Sequence, residues 1–335
     1  MSIFYVPTFF NAACFVALIS LGVCMDANAA PRVKPPLEAV RRDDVSSVIG
    51  HLKTVDAAKG QFEFTVTRII AGPAALGTAT IAASADILSR LAPETDYTLL
   101  VLDRKVDPKK PARIVSLEVW QLFDIEGASP PIFLTSEKNS ALFDPAHLTL
   151  ERSANYLALL LNDLSSDDVQ LVDLSTAEII YSESRRAALT PADSAKLIAL
   201  IARTDLRGIT RARVLSAASA EIIETDKTQL DQLAKQILLS APTSQLPWID
   251  SQDELVFAAL NHFTRQVHAT SVVNVSNLSR WLQSPNPALV EQAAVLAMRI
   301  NSSDAADAIR VALSYALLPR DARSTLRAVL HRSKQ

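Results

Sequence analysis

The sequence predicts an α+β chain, with an antiparallel β-barrel or sandwich in its first half and an all-α helical array in its second. Two observations carry this. The seven glycines fall at 22, 50, 60, 72, 77, 127 and 208, so the last 127 residues contain none; glycine serves turns between strands and is dispensable in helical arrays. Short alternating apolar segments fill the chain before about residue 145, whereas Ala- and Leu-rich stretches opened by proline fill it after about residue 190.

Residues 1–29 read as a signal peptide. Met1 to Met25 carries no charge, Ala12 to Met25 is mostly apolar, and Ala27-Asn28-Ala29 has the small-x-small pattern of a cleavage site. Cleavage near Ala29 predicts a periplasmic or secreted protein. An uncleaved segment would instead serve as a membrane tether, since 25 uncharged residues can span a bilayer. Cys14 and Cys24 both lie in this segment, so a mature chain would have no disulfide, thiolate metal site or cysteine nucleophile. Residues 30–42, with Pro31, Pro35 and Pro36, read as an extended leader.

Residues 43–143 carry the strand pattern. Candidate strands are Val45–Leu52, Gln61–Ile70, Thr78–Ala83, Tyr97–Leu102, Arg113–Phe123 and Ile132–Thr135, and Phe62, Phe64 and Val66 share one face of the second. Such strands need two facing layers or a closed barrel. The order D-V-S-S-V-I-G, F-E-F-T-V-T-R-I-I-A-G and L-A-P-E-T-D-Y-T-L-L-V-L resembles exported bacterial domains with the OB-like barrel of netrin and tissue metalloprotease inhibitor modules. Inhibition in that family uses an N-terminal cysteine, which a mature chain here would lack, so the resemblance implies the fold and not the activity.

Residues 144–189 form a connecting segment. Leu148–Leu164 reads as a buried helix. Asp163, Asp167, Asp168 and Asp173 read as a solvated polar turn rather than a calcium loop, which wants alternating acids and a central glycine. Gln170–Leu174 and Glu178–Tyr181 fit either a hairpin or a short helix. From residue 190 to 335, helices are predicted in pairs: Pro191–Arg203 with Thr210–Ile223, Lys227–Leu239 with Gln252–Gln266, Val275–Gln283 with Pro287–Ile300, and Ser303–Tyr315 with Arg320–His331. Pro287 and Pro319 lie 32 residues apart, a period suited to helical solenoids. Leu-rich first helices and Ala-rich second helices resemble HEAT repeats over 190–332; a plain helical bundle is the alternative.

No P-loop, G-x-G-x-x-G, G-x-S-x-G, H-E-x-x-H or S-x-x-K pattern occurs, and no cofactor or metal is expected. A net charge of -3 argues against nucleic acid as a partner. The histidines His51, His147, His262, His268 and His331 read as surface or core residues. Arg203, Arg207, Arg211 and Arg213 form a basic patch near the first helix pair. At 100° per residue Arg320, Arg323, Arg327, His331 and Lys334 share one stripe of the last helix. This ridge suits an acidic partner, a lipid headgroup or an anionic polymer, or else is the polar outer face that a terminal repeat needs. Trp248, after Pro247, is a second candidate partner contact; Trp120 and Trp281 read as packing residues. The expected function is an exported scaffold that binds another envelope or extracellular protein. The alternatives are a membrane-anchored structural protein, or a hydrolase whose His, Asp and Ser converge only in space.

Overall fold

A computed structural model describes residues 34–42, 44–107, 110–125, 130–135, 142–144, 154–243, 251–266 and 269–332. The expectations for residues 1–29, His147, His268, Trp248 and Lys334 fall outside them. Lys34–Gln335 forms one compact unit.

The strands are β1 (Val45–Asp56), β2 (Gln61–Ala71), β3 (Gly77–Ala82), β4 (Asp96–Asp107), β5 (Lys110–Leu122) and β6 (Ile132–Leu134), with a short helix α1 (Ala85–Leu88) between β3 and β4. β1 pairs with both β2 and β4, β3 runs parallel to β5, and β5 pairs with β4, so five strands close in the order 1-2-3-5-4-1. Of the two architectures expected, barrel or sandwich, the barrel is therefore present, and β6 adds to the N-terminal half of β4. The seam between β3 and β5 is short, Ile81 facing Trp120 and Ala82 facing Gln121.

Alternation in β2 sends Phe62, Phe64 and Val66 inward and leaves Glu63 and Thr67 exposed, the period-two pattern of a half-buried strand. β1 pairs on both edges, and Gly50 lets β2 approach it closely. A Cβ there would lie 2.1 Å from the Thr65 carbonyl oxygen and 2.6 Å from the Phe64 ring, beside a register shift between Ile49 and Gly50.

β4 obeys a different rule. Tyr97 to Val101 is buried without interruption. Leu99 and Val101 belong to the barrel interior with Val48, Leu52, Phe62 and Phe64. Leu100 faces outward into a second core with Val45, Phe133, Phe143 and the helices. One strand thus forms a wall shared by two cores, which is why T-L-L-V-L has no polar alternation.

The helices that follow are α2 (Ala154–Asp163), α3 (Val169–Tyr181), α4 (Glu183–Ala187), α5 (Pro191–Ala199), α6 (Gly208–Ser219), α7 (Lys227–Ser240), α8 (Ser251–Arg265), α9 (Ala269–Val272), α10 (Val275–Leu278), α11 (Pro287–Ile300), α12 (Ser302–Ser314) and α13 (Arg320–Arg332). Thr190 and Asp193 form a capping box at α5, as Thr-Pro-Ala-Asp predicts. The helix expected over 275–283 is broken after Leu278 into a 3₁₀ turn, Trp281–Gln283. Arg280 donates to the carbonyls of Leu239 and Ala241, and Trp281 Nε1 donates to Leu238 at 2.9 Å. These bonds take both side chains to the C-terminal end of α7.

α3 resolves the ambiguity over 170–181 as a helix, and it is buried all round from Leu171 to Ile180. Such a helix belongs to the centre of a structure. The acids read as a solvated turn are mostly internal: Asp163 and Asp173 are buried. Asp168 caps α3 through the Gln170 and Leu171 N–H groups and also accepts the Leu134 N–H of β6 at 3.1 Å. Burial pushes the Asp168 carboxyl above its usual range despite these donors.

The expected basic patch is also largely spent inside the fold. Asp173 accepts Thr210 Oγ1 at 2.6 Å and Arg213 Nη1 at 2.8 Å, and pairs with Arg207 at 3.3 Å. Arg213 also donates to the Tyr181 hydroxyl at 3.0 Å. Burial alone would lower its pKa, but Tyr181 and Asp173 together raise it. Arg203 pairs with Asp205 and donates to the Leu164 and Ser166 carbonyls, and Arg211 donates to Ile201. At the other end of α3, Glu178 binds Arg185 at 2.6 Å and accepts the Leu37 N–H at 2.5 Å; Leu37 lies in a 3₁₀ helix, Pro36–Arg41, where the sequence predicts an extended leader. Arg185 also stacks over Tyr156, 4.9 Å from the ring centre.

Replacing one member of a buried pair leaves the other uncompensated, at a cost of about 3–5 kcal/mol. Asp173→Ala is expected to lower the unfolding free energy by that amount, seen as a lower urea midpoint with an unchanged denaturant slope. A loss below about 1 kcal/mol would show that α3 does not depend on this carboxylate.

Candidate functional site

The predicted ridge lies on α13, whose Ala322, Leu326 and Val329 are buried on the side that packs against α11. Arg320, Arg327 and His331 are exposed, and among the described residues neither Arg320 nor Arg327 has an ion-pair partner. Arg323 departs from the stripe. Its guanidinium donates to the carbonyls of Leu313 at 2.9 Å and of Tyr315 and Leu318 at 3.2 Å each. It therefore closes the C-terminal end of α12 and leaves the outward face to its two neighbours. Arg332 pairs with Glu291 of α11 at 3.2 Å.

A second arrangement joins three helices. His262 of α8 is buried, its Nδ1 is 2.8 Å from Ser219 Oγ of α6, and its Nε2 is 2.8 Å from Asp231 of α7. Gln266 also approaches Nε2, at 2.9 Å. This is a Ser-His-Asp convergence, and spacing could not reveal it, because 219, 231 and 262 lie on separate helices. Its surroundings differ from a nucleophile site. The Ser219 hydroxyl also reaches the Leu215 carbonyl at 2.7 Å, so its single proton has two acceptors. The backbone N–H groups of Ala220, Glu221 and Ile222 donate to Ser216, Ala218 and Ala217. None of these three amides is left to stabilise an oxyanion, which acyl transfer requires. The geometry fastens α6, α7 and α8 at one point.

Burial pulls the His262 pKa below its usual value, and Asp231 offsets this only in part. His51 behaves oppositely. It lies on the barrel surface with Asp96 and Glu94 on its two ring nitrogens, at 2.9 and 3.0 Å, and the Asp96 and Glu94 carboxylates raise its pKa. Among the described residues no cluster of His, Cys, Asp or Glu is disposed to hold a metal ion.

A cleft of about 650 Å³ opens where the barrel meets the helices. Ser84, Asp86 and Arg90 line it from the barrel, and Arg207 and Ser251 from the starts of α6 and α8. Its size fits small ligands, but its cations are engaged: Arg90 pairs with Asp86 at 2.8 Å and Arg207 with Asp173. Ser251 Oγ accepts the Ile209 N–H at 2.9 Å.

Because its folded pKa is depressed, His262 binds fewer protons in the folded state than in the unfolded one below about pH 6.5. The stability it contributes is present at neutral pH and is lost as pH falls through that value. His262→Leu is expected to cost about 1–3 kcal/mol at neutral pH. The gap from wild type should narrow between about pH 7 and about pH 5.5; measuring the difference removes the opposing contribution of His51. A constant gap would mean that the proton on His262 does not matter to the fold. No protein-family model matches the chain, and comparisons with curated proteins and with solved structures found no match.

Proposed function

We propose that this chain is an exported envelope scaffold that binds another envelope or extracellular protein through its helical half. The observation that carries the reading is the pair of exposed cations Arg320 and Arg327 on the last helix, which have no ion-pair partner among the described residues, whereas the arginine cluster near α3 is engaged by acids and carbonyls of the fold. His331 extends the same face.

Three features support the finer expectations. The helices α11 and α13 open beside Pro287 and Pro319 at the same point of successive pairs, which favours HEAT-like repeats. The strand order 1-2-3-5-4-1 with a parallel β3–β5 seam favours the OB-like barrel. Ala27-Asn28-Ala29 favours export.

A specific protein crosslinked to the full chain in native envelope extract should be lost, or captured at least tenfold less, when Arg320 and Arg327 are both changed to Ser. Arg323 is left in place because it holds the α12 end. A partner captured equally by the variant would move the binding face elsewhere, and no partner at all would sink the scaffold reading.

The convergence of Ser219, His262 and Asp231 favours a second reading, a serine hydrolase. A fluorophosphonate probe decides between the two. A scaffold leaves Ser219 unlabelled, whereas labelling that is abolished by both Ser219→Ala and His262→Leu would make the cluster an active site.

A further inference from the structure

We propose that the turn between α12 and α13 is a membrane-surface wedge, seated on anionic phospholipid with Leu317 at its tip and Arg320 and Arg327 on the headgroups. The inference rests on the scaffold reading and adds to its cationic ridge a contact with the membrane surface.

Leu317 is the most exposed large apolar side chain of the described residues, at 78%, and Val311 and Tyr315 follow on the same side of α12 at 63% and 43%. Val311 and Tyr315 are four residues apart, so they lie on one face. The Leu318 N–H bonds the Tyr315 carbonyl at 3.2 Å and closes a turn that has Leu317 near its apex. Arg323 fixes the same turn through three carbonyls. An apolar side chain is thus held outward by a dedicated guanidinium while its neighbour Leu318 is buried. Folding gains nothing from that exposure, whereas a surface that covered Leu317 would remove its apolar area from water.

Charge identifies the cover. From Arg310 to Arg332 the chain has five arginines against one aspartate. Arg310 pairs with Asp307, Arg332 with Glu291, and Arg323 serves the turn. That leaves Arg320 and Arg327 facing solvent. Arg320 follows Leu317 by three residues, so their Cα atoms are at most about 11 Å apart. Val311, Tyr315 and Leu317 are three exposed apolar side chains at the end of α12 and on the turn that follows it. They suit a lipid interface, where a shallow apolar insertion adds to attraction between cations and anionic headgroups, and Tyr315 matches the preference of tyrosine for that layer. No helix of the described residues is long and apolar enough to cross a membrane, so contact at the surface is what this face can offer.

Hydrogen exchange of the full chain reads this segment separately from any contribution of residues 1–33. With vesicles of phosphatidylcholine plus phosphatidylglycerol, amides of the turn after Ser314 should slow. With phosphatidylcholine alone they should not. Leu317→Ser, and separately Arg320→Ser with Arg327→Ser, should each weaken the protection about tenfold; all three side chains are exposed, so the fold is retained. Absence of slowing, equal slowing on neutral vesicles, or slowing unaffected by Leu317→Ser would overturn the proposal. Equal protection by soluble polyglutamate would also overturn it, in favour of an acidic polypeptide. The measurement needs no protein partner, so its failure leaves the crosslinking result standing.

Discussion

Helix α3 is the constraint on which the rest of this structure depends. It is buried all round and carries two carboxylates into the interior. A buried charge is tolerated only when it is paired and hydrogen-bonded, so Asp173 and Glu178 dictate where their partners stand. Asp173 draws in Thr210, Arg207 and Arg213 and so fixes α6; Glu178 draws in Arg185 and the Leu37 N–H and so fixes α4 and the leader. Asp168 at the helix start bonds β6. Barrel, leader and array therefore meet on thirteen residues.

The same logic sorts the arginines by role. Those near α3 are engaged by acids or by helix carbonyls, and Arg213 and Arg185 are buried with them. Arg323 is used in the same way at the last turn. On α13, Arg320 and Arg327 are left facing solvent, and they stand beside an apolar turn that Arg323 holds in place. A surface feature maintained by an interior-type bond is more informative than an exposed side chain alone, because its conformation is determined before any partner arrives.

The cluster at His262 shows how a catalytic pattern and a structural one share geometry. Ser219, His262 and Asp231 form a chain at hydrogen-bond distances, but the amides after Ser219 are all committed to helix carbonyls. Distances among three side chains define a triad only when the surrounding donors are free to meet developing charge.

Periodicity and turn chemistry by themselves determined the element types and most boundaries. Gln61–Ile70, Pro287–Ile300 and Arg320–His331 were legible because glycine, proline and apolar spacing act over a few residues. The number of short strands left a barrel or a sandwich open, and closure into a barrel depended on β1 pairing twice, a long-range event that Gly50 permits. Only the tertiary structure decided α3, because V-Q-L-V-D-L-S-T-A-E-I-I-Y carries its acids where a surface element would, and their burial depends on arginines up to 40 residues away. The ridge was visible as a stripe of cations, yet which of its arginines face outward was not. Arg323 lies on the same stripe as Arg320 and Arg327, and it turns inward because the carbonyls of Leu313, Tyr315 and Leu318 lie within reach of its fork.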